Sequence, residues 1–385
     1  MPFDPFDPAT IADPFPAYRA LRDEAPVHRS EDRGFWVVSR YDDVTQVLRD
    51  HTRFSSEAGV GSEWRPVPMM ISVDPPDHTH LRRMVQREFT PRAIAGWSEQ
   101  VRGLVDRTLD AFVAAGGGDL ATEVAYPIPI GVIADMLGVP TEHRHDFKRW
   151  SDATIDALGG GLDAETSATV EASIVEFAQY FFPVIAERRS ARGTDLLSLL
   201  VDPAHGDTLT DGELVSFAIL LLVAGNETTT NLIGNLVHAL ATHPEQWARL
   251  QRDRSLVPAA VEEALRFDSP IQGFFRNTLE PVELRGVEIP ADEKVMVLYG
   301  SANRDERKYP EPDRFIVDRN PADHVAFGAG IHLCLGAPLA RMEGALVLEG
   351  LLDRVASIEE VGAVVRTANP LLRGIRNLPV RIEPR

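Results

Sequence analysis

The chain has 385 residues, 44% hydrophobic and 25% charged, enough to bury a large core and unlike the composition of a disordered segment. A formal net charge of -19 repels nucleic acid, and a single cysteine excludes both an intramolecular disulfide and a cysteine-rich zinc site. The start, Met1-Pro-Phe-Asp-Pro-Phe-Asp-Pro, has neither the basic lead nor the apolar run of a signal peptide or membrane anchor, so a cytoplasmic protein is expected.

In chain order, apolar residues at helical spacing predict helices over Pro16–Glu24 and Asp42–Asp50, with a strand over Phe35–Ser39 between them. Asp74-Pro-Pro-Asp-His78-Thr-His-Leu-Arg82 leaves a loop and begins another helix. Helices follow over Ala95–Ala115 and Ala168–Ser190, and the glycine runs Gly116–Gly118 and Gly159–Gly161 read as loops between helices. Phe217–Gly225 is the most apolar stretch, yet it is too short to span a bilayer and is flanked by Glu213 and Glu227, so it reads as buried helix. It lies inside a longer helix, Thr210–Thr242, which opens on a capping box, Thr210-Asp-Gly-Glu213.

The middle of that helix, Ala224-Gly-Asn-Glu-Thr-Thr-Thr230, is poor helix material. Its glycine and β-branched hydroxyl residues cost roughly 0.5–1 kcal/mol each, so something other than helix propensity selects them. A helix over Pro258–Phe267 comes next. Val282, Leu284, Val287, Ile289, Val295, Val297 and Tyr299 then alternate through Gly and Pro turns as strands. A helix over Ala337–Val355 and an edge strand over Leu378–Ile382 close the chain. The fold class is mainly α with small β-sheets, in one domain over residues 1–385 with no linker or repeat.

Chemistry concentrates in Phe327-Gly-Ala-Gly-Ile-His332-Leu-Cys334-Leu-Gly336, a glycine-rich loop that delivers the cysteine toward the start of a helix. Amides at a helix amino end favour a thiolate, and glycines let the backbone approach a large planar ligand. By itself the cysteine reads equally as an inert core residue. Glu263-Ala-Leu-Arg266 is an ion pair on one helix face, and Glu227 beside Thr228 is an acid next to a hydroxyl in an apolar helix.

Together these segments resemble the cytochrome P-450 family, whose haem loop is written Phe-x-x-Gly-x-(His/Arg)-x-Cys-x-Gly; Phe327, Gly330, His332, Cys334 and Gly336 match it. The resemblance runs from about Phe15 to the end and includes Glu263-x-x-Arg266 and an (Ala/Gly)-Gly-x-(Asp/Glu)-Thr match at Gly225–Thr228, with Glu in place of Asp. It implies a P-450 fold with haem b between the long central helix and the helix after the cysteine. Cys334 would be the iron ligand, with Phe327 packed beside it and Gly336 giving the haem room. His78, Arg82, Arg276 and His332 would bind the haem propionates. Glu263 and Arg266 would brace the loop, Thr228 would hydrogen-bond dioxygen and Glu227 would feed protons.

By the same resemblance the substrate pocket is walled by the loop before Asp74, by Val223 and Ala224, by Ile271, Gln272, Phe274 and Phe275, and by Leu371–Arg373, with Gln272 or Arg65 meeting a polar group. A small apolar or aromatic molecule is the expected substrate of a monooxygenase that hydroxylates, epoxidises or dealkylates. No flavin or dinucleotide fingerprint is present, so electrons should come from a ferredoxin or flavodoxin with its reductase. Arg82, Arg83, Arg87 and Arg341 are candidates for the docking patch. A peroxide-driven peroxygenase is the alternative activity, and a cofactor-free helical scaffold is the alternative without one.

Overall fold

The computed structural model describes residues 3–63, 69–158, 163–203 and 208–385. Its centre is one helix, Asp211–Thr242, whose buried residues run from Leu214 to Leu240. The predicted capping box starts it: Glu213 N donates to Thr210 Oγ1 at 3.3 Å, and Thr210 N donates to Glu213 Oε2 at 2.7 Å. Around it pack the helices Pro127–Met136, Arg144–Leu158, Ala164–Ser190, Val257–Phe267 and Ala337–Arg354. An aromatic cluster joins two of these, with Phe147 and Trp150 set against Phe177 and Phe181. Each ring so buried contributes about 1.5–3 kcal/mol.

A smaller layer is built on a five-stranded sheet. In spatial order its strands are Val27–Ser30, Phe35–Val38, Lys294–Val297, Phe274–Thr278 and Phe54–Ser55. Trp36 pairs in parallel with Val295, and Arg276 pairs antiparallel with the same Val295. Because alternate residues of a strand face opposite ways, Phe274 and Arg276 share one face and Phe275 takes the other. A second core of Phe35, Val37, Val297 and Leu298 fills the space under this sheet. Among the described residues, no helix is long and apolar enough to cross a membrane.

Several expectations need correction. The predicted helix Ala95–Ala115 breaks at Gly96-Trp97 into Pro91–Ala95 and Ser98–Ala114. Tyr299 does not extend a strand; it opens the short helix Tyr299–Ala302. The Gly116–Gly118 loop is partly a strand, Gly117–Asp119, paired with Pro379–Pro384. A Cβ on Gly117 would stand 2.3 Å from Val380 O, so only glycine allows that approach. Pro379–Pro384 is therefore the middle strand of three rather than an edge, with Val355–Glu360 on its other side. Val355 belongs to that strand and not to the preceding helix. The run Gly159–Gly161 lies outside the described residues.

Candidate functional site

The cysteine loop is shaped by its glycines. Gly328 and Gly330 both have φ of 71°, and a Cβ on Gly330 would lie 2.5 Å from Leu48 O. Cys334 N donates to Phe327 O at 2.9 Å, which closes the loop two residues before Gly336, the N-cap of the helix Ala337–Arg354. Cys334 is open to solvent, yet the protein packed around the loop desolvates its thiol and raises its pKa. Hydrogen bonds from the Gly336 and Ala337 amides and the charges of Arg82 and Arg341 act the other way.

Behind the loop, Arg341 and His324 flank Phe327, with the Arg341 guanidinium 4.6 Å from the ring centroid and the His324 ring at 5.6 Å. One carboxylate holds both flanks. Glu262 accepts from Arg341 at 2.7 and 2.9 Å and lies 3.2 Å from His324 Nε2. Burial raises the Glu262 pKa, but His324 and Arg341 outweigh it and bring the carboxyl down to about 2. A depressed carboxyl stabilises the fold above its unfolded pKa and loses that contribution as pH falls through its folded value. Glu262→Gln is therefore expected to cost roughly 2–3 kcal/mol at pH 7 and progressively less toward pH 2. Denaturant titrations at neutral and acidic pH measure the difference.

Glu263, the next residue of the same helix, and Arg266, one turn on, are fully buried. Arg266 donates to both Glu263 oxygens, at 2.8 and 2.9 Å, and to the carbonyls of Asn303, Pro312 and Arg314. Glu263 also accepts from Ile316 N at 3.0 Å and Arg319 Nε at 3.1 Å. The pair thus fastens residues 303–319 to the helix, and Asn303 Oδ1 passes the restraint on by accepting from Val325 N at 2.8 Å.

On the other side of the thiol the fold gathers positive charge. His78 and Arg82 arrive on the helix Asp77–Val85, Arg276 on the strand Phe274–Thr278 and His332 on the turn Gly330–His332. The His78 and His332 rings meet edge to face, 4.4 Å apart between centroids. Neither His78 Nε2 nor His332 Nε2 has a hydrogen-bond partner, although both atoms are buried. Buried Arg276 donates to Phe275 O at 2.8 Å, and among the described residues no carboxylate pairs with it or with Arg82. Burial, then Arg276, His78, Arg82 and His51, drive the His332 imidazole down to about 3.

Unpaired cations inside a protein cost several kcal/mol each, so this cluster is suited to an anion. Two carboxylates on a planar ligand fit it, and Gly336 leaves open space where a Cβ would stand. The residues present therefore fit a haem. His51 joins the cluster electrostatically and was not foreseen, because a lone histidine in Asp50-His51-Thr52 carries no pattern.

Across from the loop, the central helix exposes Ala224 and partly exposes Glu227 and Thr228, which lie on one face at i, i+3 and i+4. Thr228 Oγ1 donates to Ala224 O at 2.5 Å. Asn226, on the opposite side, is buried and donates to Ser151 Oγ at 3.0 Å. Gly225 has a packing reason, since its Cβ would lie 2.8 Å from Ile133 Cδ1. Glu227 is close enough to Tyr126 to raise its pKa, together with burial and Asp152.

The expected pocket residues divide. Phe274 stands edge-on to Tyr299 at 6.0 Å, while Val223 lies in the main core and Ile271 packs against it. Phe275 does not wall a pocket; strand alternation turns it into the second core, edge-on to Phe35 at 5.1 Å. Gln272, Leu372 and Arg373 line a different cavity, beside Pro5, Ile11 and Tyr18. Gln272 Nε2 is bound to Ser269 O at 2.7 Å, and Arg373 is bound to Asp268 at 2.6 Å. Met69 and Met70, in the loop before Asp74, line a small apolar cleft with Leu81, Val85, Leu209 and Phe217. Arg65 lies outside the described residues. In the basic patch, Arg341 is neutralised by Glu262 and Arg87 pairs with Glu88 at 3.0 Å, which leaves less free charge than the sequence implied.

Comparison with known proteins agrees with this arrangement. The family described as Cytochrome P450 matches residues 132–356. "Cytochrome P450 monooxygenase PikC" of Streptomyces venezuelae is 40% identical over 96% of this chain and 91% of its own length. "Vitamin D(3) 25-hydroxylase" of Pseudonocardia autotrophica is 40% identical over 97% of this chain and 94% of its own length. A crystal structure of CYP109E1 from Bacillus megaterium, in complex with testosterone, superposes with a TM-score of 0.89 at 36% identity, covering 97% of this chain and 99% of that one. The chain belongs to the cytochrome P450 family. It is a monooxygenase of the bacterial type, and the prosthetic group of that family is haem.

Proposed function

We propose that this protein oxygenates an apolar, ring-containing organic molecule in the space between the Ala224–Thr228 face of the central helix and the cysteine loop, using haem b and electrons from a separate ferredoxin or flavodoxin system. The observation that carries the reading is the cluster of His78, Arg82, Arg276 and His332 beside the chain's one thiol, in which His78 Nε2 and His332 Nε2 are buried without a hydrogen-bond partner. Bound haem supplies thiolate-ligated iron able to activate dioxygen. Cys334 donates the thiolate, held by the Gly336 and Ala337 amides. Arg82 and Arg276 neutralise the two propionates, and the His78 and His332 imidazoles hydrogen-bond to them. Val223, Ala224, Ile271 and Phe274 present mainly apolar surface to the substrate and exclude water. The substrate class draws support from the two relatives whose names specify a secosteroid hydroxylation and a steroid ligand. A cytoplasmic location suits a chain whose described helices include no membrane span.

The test is a titration of the haem-loaded protein with testosterone, read as the low-spin to high-spin shift that follows when a guest displaces iron-bound water. A saturable shift supports the class, and a flat titration across steroids and small aromatics with a shift from an open-chain fatty acid overturns it.

Thr228 and Glu227 have the proton-handling role. Thr228 Oγ1 now donates to Ala224 O, so the hydroxyl must share or leave that bond to pass a proton inward. Thr228→Ala is expected to lower product formed per electron pair by about tenfold or more, with hydrogen peroxide released instead. Peroxide titration alongside substrate oxidation measures the coupling. Unchanged coupling, with peroxide alone supporting full turnover, would favour the peroxygenase.

A further inference from the structure

Outside the family motifs, one cation is held in an unexpected way. Lys294, at the start of the strand Lys294–Val297, directs its Nζ at the carbonyls of Ala58, Gly59, Gly61 and Glu63, at 2.9, 3.3, 3.3 and 3.4 Å. An ammonium has three protons, so the four oxygens share them. Burial, then Arg276, lower the Lys294 pKa to about 8, which still leaves it charged at neutral pH. Four carbonyl dipoles converging on one point repel one another unless a cation sits there, so the turn at residues 58–63 depends on this side chain.

That turn is laced to both halves of the site. Phe275 N donates to Val60 O at 2.9 Å, which ties it to the strand bearing Phe274 and Arg276. Ser56 N donates to Asp74 Oδ1 at 3.1 Å, which ties it to the approach of the helix bearing His78 and Arg82. Ala58 and Val60 are themselves buried.

We propose that Lys294 is a positioning residue for the substrate side of the haem site: its ammonium gathers the carbonyls of residues 58–63, and the bond from Phe275 N to Val60 O carries that restraint to the strand that bears Phe274. The inference rests on the haem-site reading above. Lys294 acts through backbone and touches neither iron nor substrate.

The experiment compares two iron ligands in haem-loaded protein, bulky 4-phenylimidazole and small imidazole, by spectral titration. Lys294→Ala is expected to weaken 4-phenylimidazole about tenfold, a loss of about 1.4 kcal/mol, while imidazole stays within about twofold because it needs no shaped cleft. n-Propylammonium chloride has the amine and the carbons that the substitution removes, and should restore most of the loss. Tetramethylammonium chloride at equal ionic strength, with no N–H, should not. Equal binding of 4-phenylimidazole by both proteins, equal weakening of both ligands, or rescue by both salts overturns the proposal.

A second measurement needs no variant. The chain's lysines are Lys148, Lys294 and Lys308, and the Lys148 side chain is 51% exposed. Acylation followed by mass spectrometry should modify Lys294 far more slowly than Lys148, and comparable rates would show that the carbonyl turn does not hold the amine. If wild-type protein gives no iron-ligand spectrum, the haem reading fails while the acylation rates still judge the clamp.

Discussion

Cys334→Ala is expected to abolish the red-shifted Soret band of the ferrous carbon-monoxide complex and to reduce oxygenation by more than about a hundredfold. Loss of a mere outer-shell partner at a metal site costs 10–100-fold, and removing the thiolate removes the ligand whose electron donation favours O–O cleavage. The sequence offers no second cysteine to replace it. Haem content should fall much less than activity, because His78, Arg82, Arg276 and His332 are contributed by other backbone segments or other side chains and still meet the propionates. Haem content by pyridine haemochrome and the carbon-monoxide spectrum separate these effects. A red-shifted band retained in the alanine variant would show that another group ligates the iron.

Local chemistry was legible in the sequence wherever a short segment carries its own constraint. The central helix announced itself through Thr210 and Glu213, which cap each other within a single turn. The cysteine loop did so through glycines needed at Gly328 and Gly330 for positive φ. Pairing across long separations was not legible. Gly117 pairs with Arg381 and Asn226 reaches Ser151, and nothing in the flanking residues of either indicates its partner. Phe275 was misplaced for a simpler reason. Adjacent aromatics in a strand face opposite sides, and the strand itself had not been predicted, so the alternation could not be applied. Glu262 and Lys294 escaped notice because a single charged residue in a mixed run looks like solvated surface until the fold surrounds it.

Glu263 and Arg266 illustrate the same limit from the other direction. Their spacing is that of an ordinary surface pair worth a few tenths of a kcal/mol, yet both side chains are fully buried. Arg266→Ala should therefore destabilise the protein by about 3–5 kcal/mol, since it leaves Glu263 charged and buried with only Ile316 N and Arg319 to satisfy it. The same change frees the carbonyls of Asn303 and Pro312, and Asn303 is the group that holds Val325 ahead of the cysteine loop. Lower haem retention should accompany the lower melting temperature, as measured by calorimetry and by the Soret absorbance after gel filtration.

Arg266→Lys should rescue little, because one ammonium cannot reproduce a fork that reaches both Glu263 oxygens and three carbonyls. Removing both charges, as Glu263→Gln with Arg266→Met, should cost less than Arg266→Ala alone, since the fully buried carboxylate is then gone and only Arg319, with a side chain 12% exposed, loses a partner. If the double variant is the less stable one, the pair contributes net attraction beyond mutual neutralisation, and the bracing of residues 303–319 depends on charge rather than on shape.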